Sequence, residues 1–124
     1  MSDKKFHAKS TALEVIEGHD LTGYETIVTG GASGIGIETV RALAKAGARV
    51  IIGARDFSRA EPVAQTLRKE TGSDKIELEL LDLASLKSVR AFVQRFLEKK
   101  RPLHILINNA GNSYGSKVFI NMMI

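Results

Sequence analysis

The eight residues TGGASGIG, 29–36, sit where a short apolar run, ETIVTG, gives way to a segment whose apolar residues recur at helical spacing. Three glycines in that stretch have distinct physical tasks. Gly30 permits a tight exit from a strand, Gly34 lets the backbone approach a pyrophosphate, and Gly36 allows a helix to pack close to a sheet. With them, Ser33 and Ile35 complete a turn whose amides, at the N-terminus of a helix, attract phosphate charge. A glycine-rich loop by itself is equally satisfied by a plain turn that needs positive φ. The other phosphate cradle, a P-loop, requires Lys followed by Ser or Thr after its last glycine, and here Ile37 and Glu38 follow Gly36.

Outward from this loop the chain is rhythmic. Apolar runs ETIVTG, ARVIIGA, KIELELL and LHILINN alternate with segments of helical periodicity, a β-α-β-α-β-α-β order. The first helix is predicted from about residue 34 to 46, with Gly36, Val40, Leu43 and Ala44 on one face and Gly47 at the C-terminal cap. The second covers about 57–70, with Val63, Ala64 and Leu67 inward and Pro62 blurring the start by removing a donor. The third covers about 85–99 with a stripe of Leu86, Val89, Val93, Phe96 and Leu97, after which Pro102 forces an exit into the fourth strand. Such alternation predicts an α/β fold with a parallel sheet buried on both faces and right-handed crossovers. Residues 1–20 form an arm in which Thr11 and Glu14 have capping-box spacing and Gly18 ends a short helix.

The 124 residues leave room for one domain, and a 44% hydrophobic, 26% charged composition is that of an ordinary globular protein. With no cysteine there is no disulfide framework, no thiolate nucleophile and no cysteine-based metal site. The three histidines, His7, His19 and His104, lack metal-ligand spacing, so no metal is expected. The N-terminus has charges but no apolar h-region, and no run approaches the ~20 apolar residues of a membrane span. The expectation is a cytoplasmic protein. A formal charge of +4 is spread along the chain except at Lys99, Lys100 and Arg101, which close the third helix where cations meet the negative end of its dipole. No aromatics are interleaved with them to stack bases, and nucleic acid is not expected as a partner.

Two further motifs join the glycine loop: DL within LLDLAS, at Asp82 and Leu83, and NNAG at 108–111. Together with TGGASGIG they resemble the short-chain dehydrogenase/reductase family, whose loop reads T-G-x-x-x-G-x-G, over roughly residues 22–111. The arm, F-x-A-K-S-T-A-x-E-V from Phe6, is similar to a retinol-dehydrogenase-like branch of that family. The resemblance implies a partial Rossmann-type, doubly wound sheet of four parallel strands in the order 3-2-1-4 with three crossover helices. It also implies that Asp82, beside Leu83, contacts the adenine ring, and that Asn109, Ala110 and Gly111 line the cofactor. A carboxylate ending the second strand would hold the ribose hydroxyl of NAD, whereas an arginine pairs with the 2′-phosphate of NADP. The strand ends GARD, with Ala54 at the family's acid position and Arg55 next, so NADP is favoured over NAD. Asp56 is expected to cap the second helix, and Ser33, where some NADP-dependent relatives carry a second basic residue, offers a hydroxyl.

The family's catalytic tyrosine and lysine stand four apart, on one helix face, so that the lysine lowers a tyrosine pKa of about 10 toward working pH. Here Tyr114 and Lys117 are three apart and follow NNAG directly, without the intervening helix and strand that bring the catalytic serine. No catalytic residue is therefore expected in this chain. The boundaries predicted are an arm over 1–20, a truncated dinucleotide-binding domain over 21–111, and a tail over 112–124 outside the family pattern. Without a fifth parallel strand, strand four is expected to be an exposed edge that invites a homo- or hetero-oligomeric partner, although the tail segment VFINMMI is apolar enough to patch part of the surface. The sequence thus implies the cofactor-binding portion of an NAD(P)-dependent oxidoreductase, or else a non-catalytic form that associates with a full-length relative.

Overall fold

A computed structural model describes residue 16 and residues 18–30, 35–108 and 117–120, with Ile35 and 117–120 as backbone only. In chain order the elements are β1 (Glu25–Thr29), α1 (Ile35–Lys45), β2 (Arg49–Ala54), α2 (Phe57–Thr71), β3 (Ile76–Leu80), α3 (Leu86–Glu98), β4 (Ile105–Asn108) and β5 (Lys117–Ile120). β1 pairs in parallel with β2 and with β4, and β2 pairs in parallel with β3, giving the order 3-2-1-4 that the sequence implies. The chain leaves β3 at one side of the sheet and re-enters as β4 on the other side of β1. The topological switch therefore lies between β1 and β4.

The sheet has one strand more than expected. β5, from the tail, pairs antiparallel with all four residues of β4, from Ile105 opposite Ile120 to Asn108 opposite Lys117. The exposed β4 edge is thus corrected: its free amides and carbonyls are met by a nearby segment of the same chain, which closes an edge without a second molecule. The sequence signal was the apolar run itself, read as a patch because its four residues are too few to mark a strand by alternation.

Each helix begins and ends for local reasons. Asp56 caps α2, its Oδ1 accepting from the Ser58 amide at 3.0 Å, as expected. Gly72 closes the same helix with φ +72° and an amide that donates to the Arg68 carbonyl. Ser85 caps α3 by accepting from the Ser88 amide at 3.1 Å. Pro62 falls in the second turn of α2 and leaves its start intact.

The two faces of the sheet are unequal. Val28, Val50, Ile52, Ile105 and Ile107 pack against Val40, Leu43 and Ala44 of α1 and Ala64 and Leu67 of α2 in the larger core. On the opposite face, among the described residues, Ile27, Ile51 and Leu81 gather around Phe92 of α3, with Leu103 and Leu106 partly buried beside them. The stripe predicted for α3 is rotated: Val89 and Phe96 pack inward with Phe92, whereas Leu86, Val93 and Leu97 are exposed. The apolar arc of this helix is wider than the strip of sheet beneath it, so periodicity alone did not say which side of the arc would be buried.

Beside α3, charge takes the place of a second helix. Arg49 bridges Glu25 and Glu77, each at 3.1 Å, and Arg101 meets the same two carboxylates at the same distance. Lys99 joins Glu77 and Glu79 at 3.4 Å, and Arg95 joins Glu79 at 2.9 Å. The Glu25 Oε1 and Arg101 Nε atoms lie 3.1 Å apart yet lack hydrogen-bond alignment, so that pair is Coulombic. Two cations of the basic triplet are therefore committed to carboxylates within the molecule.

Candidate cofactor site

The carboxyl ends of β1, β2, β3 and β4 lie side by side, and of the residues singled out from sequence Gly30, Arg55, Asp82 and Leu83 follow on three of them. At the end of β1, Gly30 has φ +69°, a left-handed conformation that suits glycine, and its amide donates to the Gly53 carbonyl at 3.1 Å. Thr29, one residue earlier, donates its hydroxyl to Asn108 Oδ1 at 2.8 Å. This bond ties β1 to β4 across the switch point, where the crevice of an open α/β sheet forms. Gly36 is buried in the first turn of α1. Ser33, Gly34, Asn109, Ala110, Gly111 and Tyr114 lie outside the described residues.

At the end of β2 the backbone turns sharply into α2. Arg55 is exposed and, like Arg59 and Arg90, makes no ion pair among the described residues, whereas Arg41, Arg49, Arg68, Arg95 and Arg101 each meet a carboxylate. Asp56 is occupied: the Ser58 hydroxyl donates to Oδ1 at 2.7 Å and, with the amides of Ser58 and Arg59, holds the carboxyl below its usual range. Gly53, just before the turn, lies beneath Leu81, and a Cβ there would fall 2.8 Å from the Leu81 Cδ2. The missing side chain lets β3 run tightly past β2, and the Leu81 amide donates to the Ala54 carbonyl at 2.8 Å.

The β3 end carries Asp82 in a loop fixed by four bonds. Its amide donates to the Ser88 hydroxyl oxygen at 2.9 Å, its Oδ1 accepts from the Ala84 amide at 3.0 Å, and its carbonyl accepts from the Ser85 amide at 3.0 Å. Ser88 in turn donates its amide to Ser85 Oγ. The Asp82 carboxylate is therefore pinned through one oxygen, and Oδ2 has no partner among the described residues. Leu83 stands exposed beside it.

The sequence profile of the short chain dehydrogenase family matches residues 25–123. The chain belongs to that family. Among curated proteins, this chain is 45% identical over 107 residues to the WW domain-containing oxidoreductase of Gallus gallus, covering 86% of this chain and 26% of that protein. It is 46% identical over 110 residues to retinol dehydrogenase 12 of Homo sapiens, covering 89% of this chain and 34% of that protein. The chain thus spans about a quarter to a third of the length of the curated relatives it matches. Among solved structures, the RhlG/NADP active-site complex of Pseudomonas aeruginosa is similar with a TM-score of 0.67 and 38% identity, over 77% of this chain and 36% of that one.

Two features of the site were not singled out from sequence. The Thr29–Asn108 bond joins the first residue of one motif to the first residue of another, and only the strand order shows that the two meet. Ser88 left a fainter trace, the D-x-x-S-x-x-S spacing of Asp82, Ser85 and Ser88 ahead of an apolar helix, which is a capping pattern. No group of three metal-ligating side chains occurs among the described residues, and no helix there is long and apolar enough to cross a membrane.

Proposed function

We propose that this chain is the cofactor-binding portion of an NAD(P)-dependent short-chain oxidoreductase, that it prefers NADP, and that its residues serve the adenosine and pyrophosphate end of the dinucleotide. Arg55 carries the reading. It is a guanidinium without a carboxylate partner among the described residues, at the strand end where a ribose 2′-phosphate is bound in this type of sheet. The planar fork of arginine suits such a phosphate by two parallel bonds. Asp56, the acid that would otherwise hold a ribose hydroxyl, is spent on the cap of α2. In this reading the pyrophosphate is bound by the amides of Ser33, Gly34, Ile35 and Gly36 in the glycine motif, aided by the positive end of the α1 dipole. Asp82 accepts the adenine amino group through its open oxygen, beside the apolar surface of Leu83. Asn109, Ala110 and Gly111, next in sequence after β4, are assigned to the cofactor lining on the NNAG motif alone.

A bound nicotinamide dinucleotide supplies a hydride donor or acceptor for a carbonyl or alcohol. No residue of this chain is assigned to that chemistry. Tyr114 and Lys117 are three apart, and Lys117 opens β5, which supports reading the pair as uninvolved because a strand does not present both side chains on one helical face. Titration with NADPH and NADH tests the proposal. NADPH is expected to bind more tightly, and Arg55→Ala to weaken it by about tenfold or more while leaving NADH unchanged. Equal loss for both cofactors would refute the role of Arg55, and absence of binding to either would refute a cofactor site.

A second reading, a non-catalytic form that associates with a full-length relative, is favoured by one observation. Of the large exposed hydrophobics among the described residues, Leu80, Leu83, Leu86, Val93 and Leu97 all lie on or beside α3. Mixing the chain with a purified full-length relative and following that enzyme's turnover separates the readings, since only association changes it.

A further inference from the structure

The loop from Leu81 to Ser85 would hold its shape through its own turn bonds if α3 merely followed it. Instead, its Asp82 amide is bonded to a side chain six residues on, within the helix. The Asp82 N–H, half-buried, donates to Ser88 Oγ at 2.9 Å. The Ser88 amide donates to Ser85 Oγ at 3.1 Å, so the same residue both closes the cap of α3 and fixes the backbone that carries the Asp82 carboxylate. The Ala84 amide, donating to Asp82 Oδ1, then sets the rotamer. A carboxylate located by its own backbone, its own rotamer and a helix has a defined direction for its second oxygen.

We propose that Ser88 is a positioning residue for base recognition: its hydroxyl holds the Asp82 backbone so that the free carboxylate oxygen meets the 6-amino group of a purine. The inference rests on the reading of Asp82 as the adenine contact. Removing the hydroxyl leaves a half-buried N–H without its acceptor and releases the start of the loop from the helix, so the carboxylate samples directions that no longer meet the base. The loss falls on discrimination between bases rather than on the pyrophosphate, which is held at the other end of the site by amides that Ser88 does not touch.

The test is a titration of the 124-residue chain with NADPH and with its hypoxanthine counterpart, in which the 6-amino group is replaced by a carbonyl oxygen. Wild type is expected to prefer NADPH by about tenfold, because a carboxylate facing a carbonyl oxygen loses a charge-assisted bond. Ser88→Ala is expected to shrink that preference to about twofold or less, and Ser88→Thr, which keeps the hydroxyl, to restore it. Ser85→Ala, which removes the cap but leaves the Asp82 bond, is expected to lower the melting temperature and keep the preference. Should Ser88→Ala unfold, the isosteric pair Ser88→Thr and Ser88→Val carries the same comparison. A preference that survives in Ser88→Ala or Ser88→Val overturns the role of Ser88 and leaves the adenine reading standing. No preference in wild type overturns the adenine reading itself, and with it this inference.

Discussion

Replacing Gly47 with alanine should destabilise the chain much more than replacing Gly72, although both glycines end helices in positive-φ conformations. Gly72 has φ +72° and open space around the position of a Cβ, so alanine there incurs the left-handed backbone alone, about 1–2 kcal/mol. Gly47 has φ +99°, and its Cβ would lie 2.5 Å from Thr22 Oγ1, 3.2 Å from Thr22 Cα and 3.3 Å from Thr22 N. A hydroxyl can swing away, but here it is held by a 2.7 Å bond to Asp20 Oδ1, and the backbone atoms behind it cannot yield without moving the turn. Overpacking of this kind adds about 1–3 kcal/mol, and the stiffer unfolded chain returns less than about 1 kcal/mol in both variants. At about 4 °C per kcal/mol for a domain of this size, Gly72→Ala should lower the melting temperature by about 4–8 °C and Gly47→Ala by about 8–20 °C. Thermal unfolding followed by circular dichroism, with urea midpoints at one temperature, measures both. Thr22→Ala in the Gly47→Ala background should recover only part of the difference, because it removes Oγ1 and leaves Cα and N in place. Equal losses in the two glycine variants would refute the steric half of the argument.

Three further outcomes follow from the packing and the charges. Burial pushes the Glu77 carboxyl up, but the Arg101 bond, the Arg101 and Lys99 charges and the Arg49 bond outweigh it and hold the group below its ordinary 4.5. A depressed carboxylate stabilises the fold above that value and loses the stabilisation as pH falls through the folded pKa, so the deficit of Glu77→Gln at neutral pH should shrink as pH falls below 4.5. A deficit that stays constant across that range in urea titrations would contradict the assignment. Leu67, 1% exposed between α2 and the sheet, should cost about 2–5 kcal/mol when cut to alanine, read as a lower urea midpoint at unchanged slope. Asp56→Ala should cost about 1 kcal/mol from the lost cap of α2, whereas Asp56→Ser should retain most of it. If the alanine variant melts with wild type, the bond to Ser58 is not stabilising.

Much of the architecture was readable because each signal was local and repeated. Four apolar runs, three amphipathic segments and a glycine at the end of the first helix name the elements, and right-handed crossovers leave few ways to arrange them. Helix boundaries came within one or two residues because Asp56, Gly47 and Pro102 punctuate them chemically. What remained hidden was relational. The rotation of α3 depends on how much sheet lies beneath it, so Phe92, absent from the predicted stripe, is the residue that became buried. The pairing of β5 depends on the free edge of β4 as much as on the four residues of the strand. In the candidate site, Gly30, Arg55 and Asp82 were legible as motif members, whereas the bonds that orient them, Thr29 to Asn108 and Asp82 to Ser88, join residues whose proximity only the folded chain reveals.

The inequality of the two cores bears on how the molecule breathes. α1 and α2 are bound to the sheet through the larger cluster, while α3 is held by Phe92 and its few neighbours together with the ions of Arg95 and Lys99. Amides of α3 therefore exchange with solvent through an opening that costs less than global unfolding, and those of β1 and β2 only through the global event. The loop bearing Asp82 is fastened to that looser helix, whereas Gly36 lies in α1, in the tighter half. A nucleotide spanning both ends, as proposed, would add its binding energy to a helix with little of its own, and would slow exchange in α3 far more than in α1.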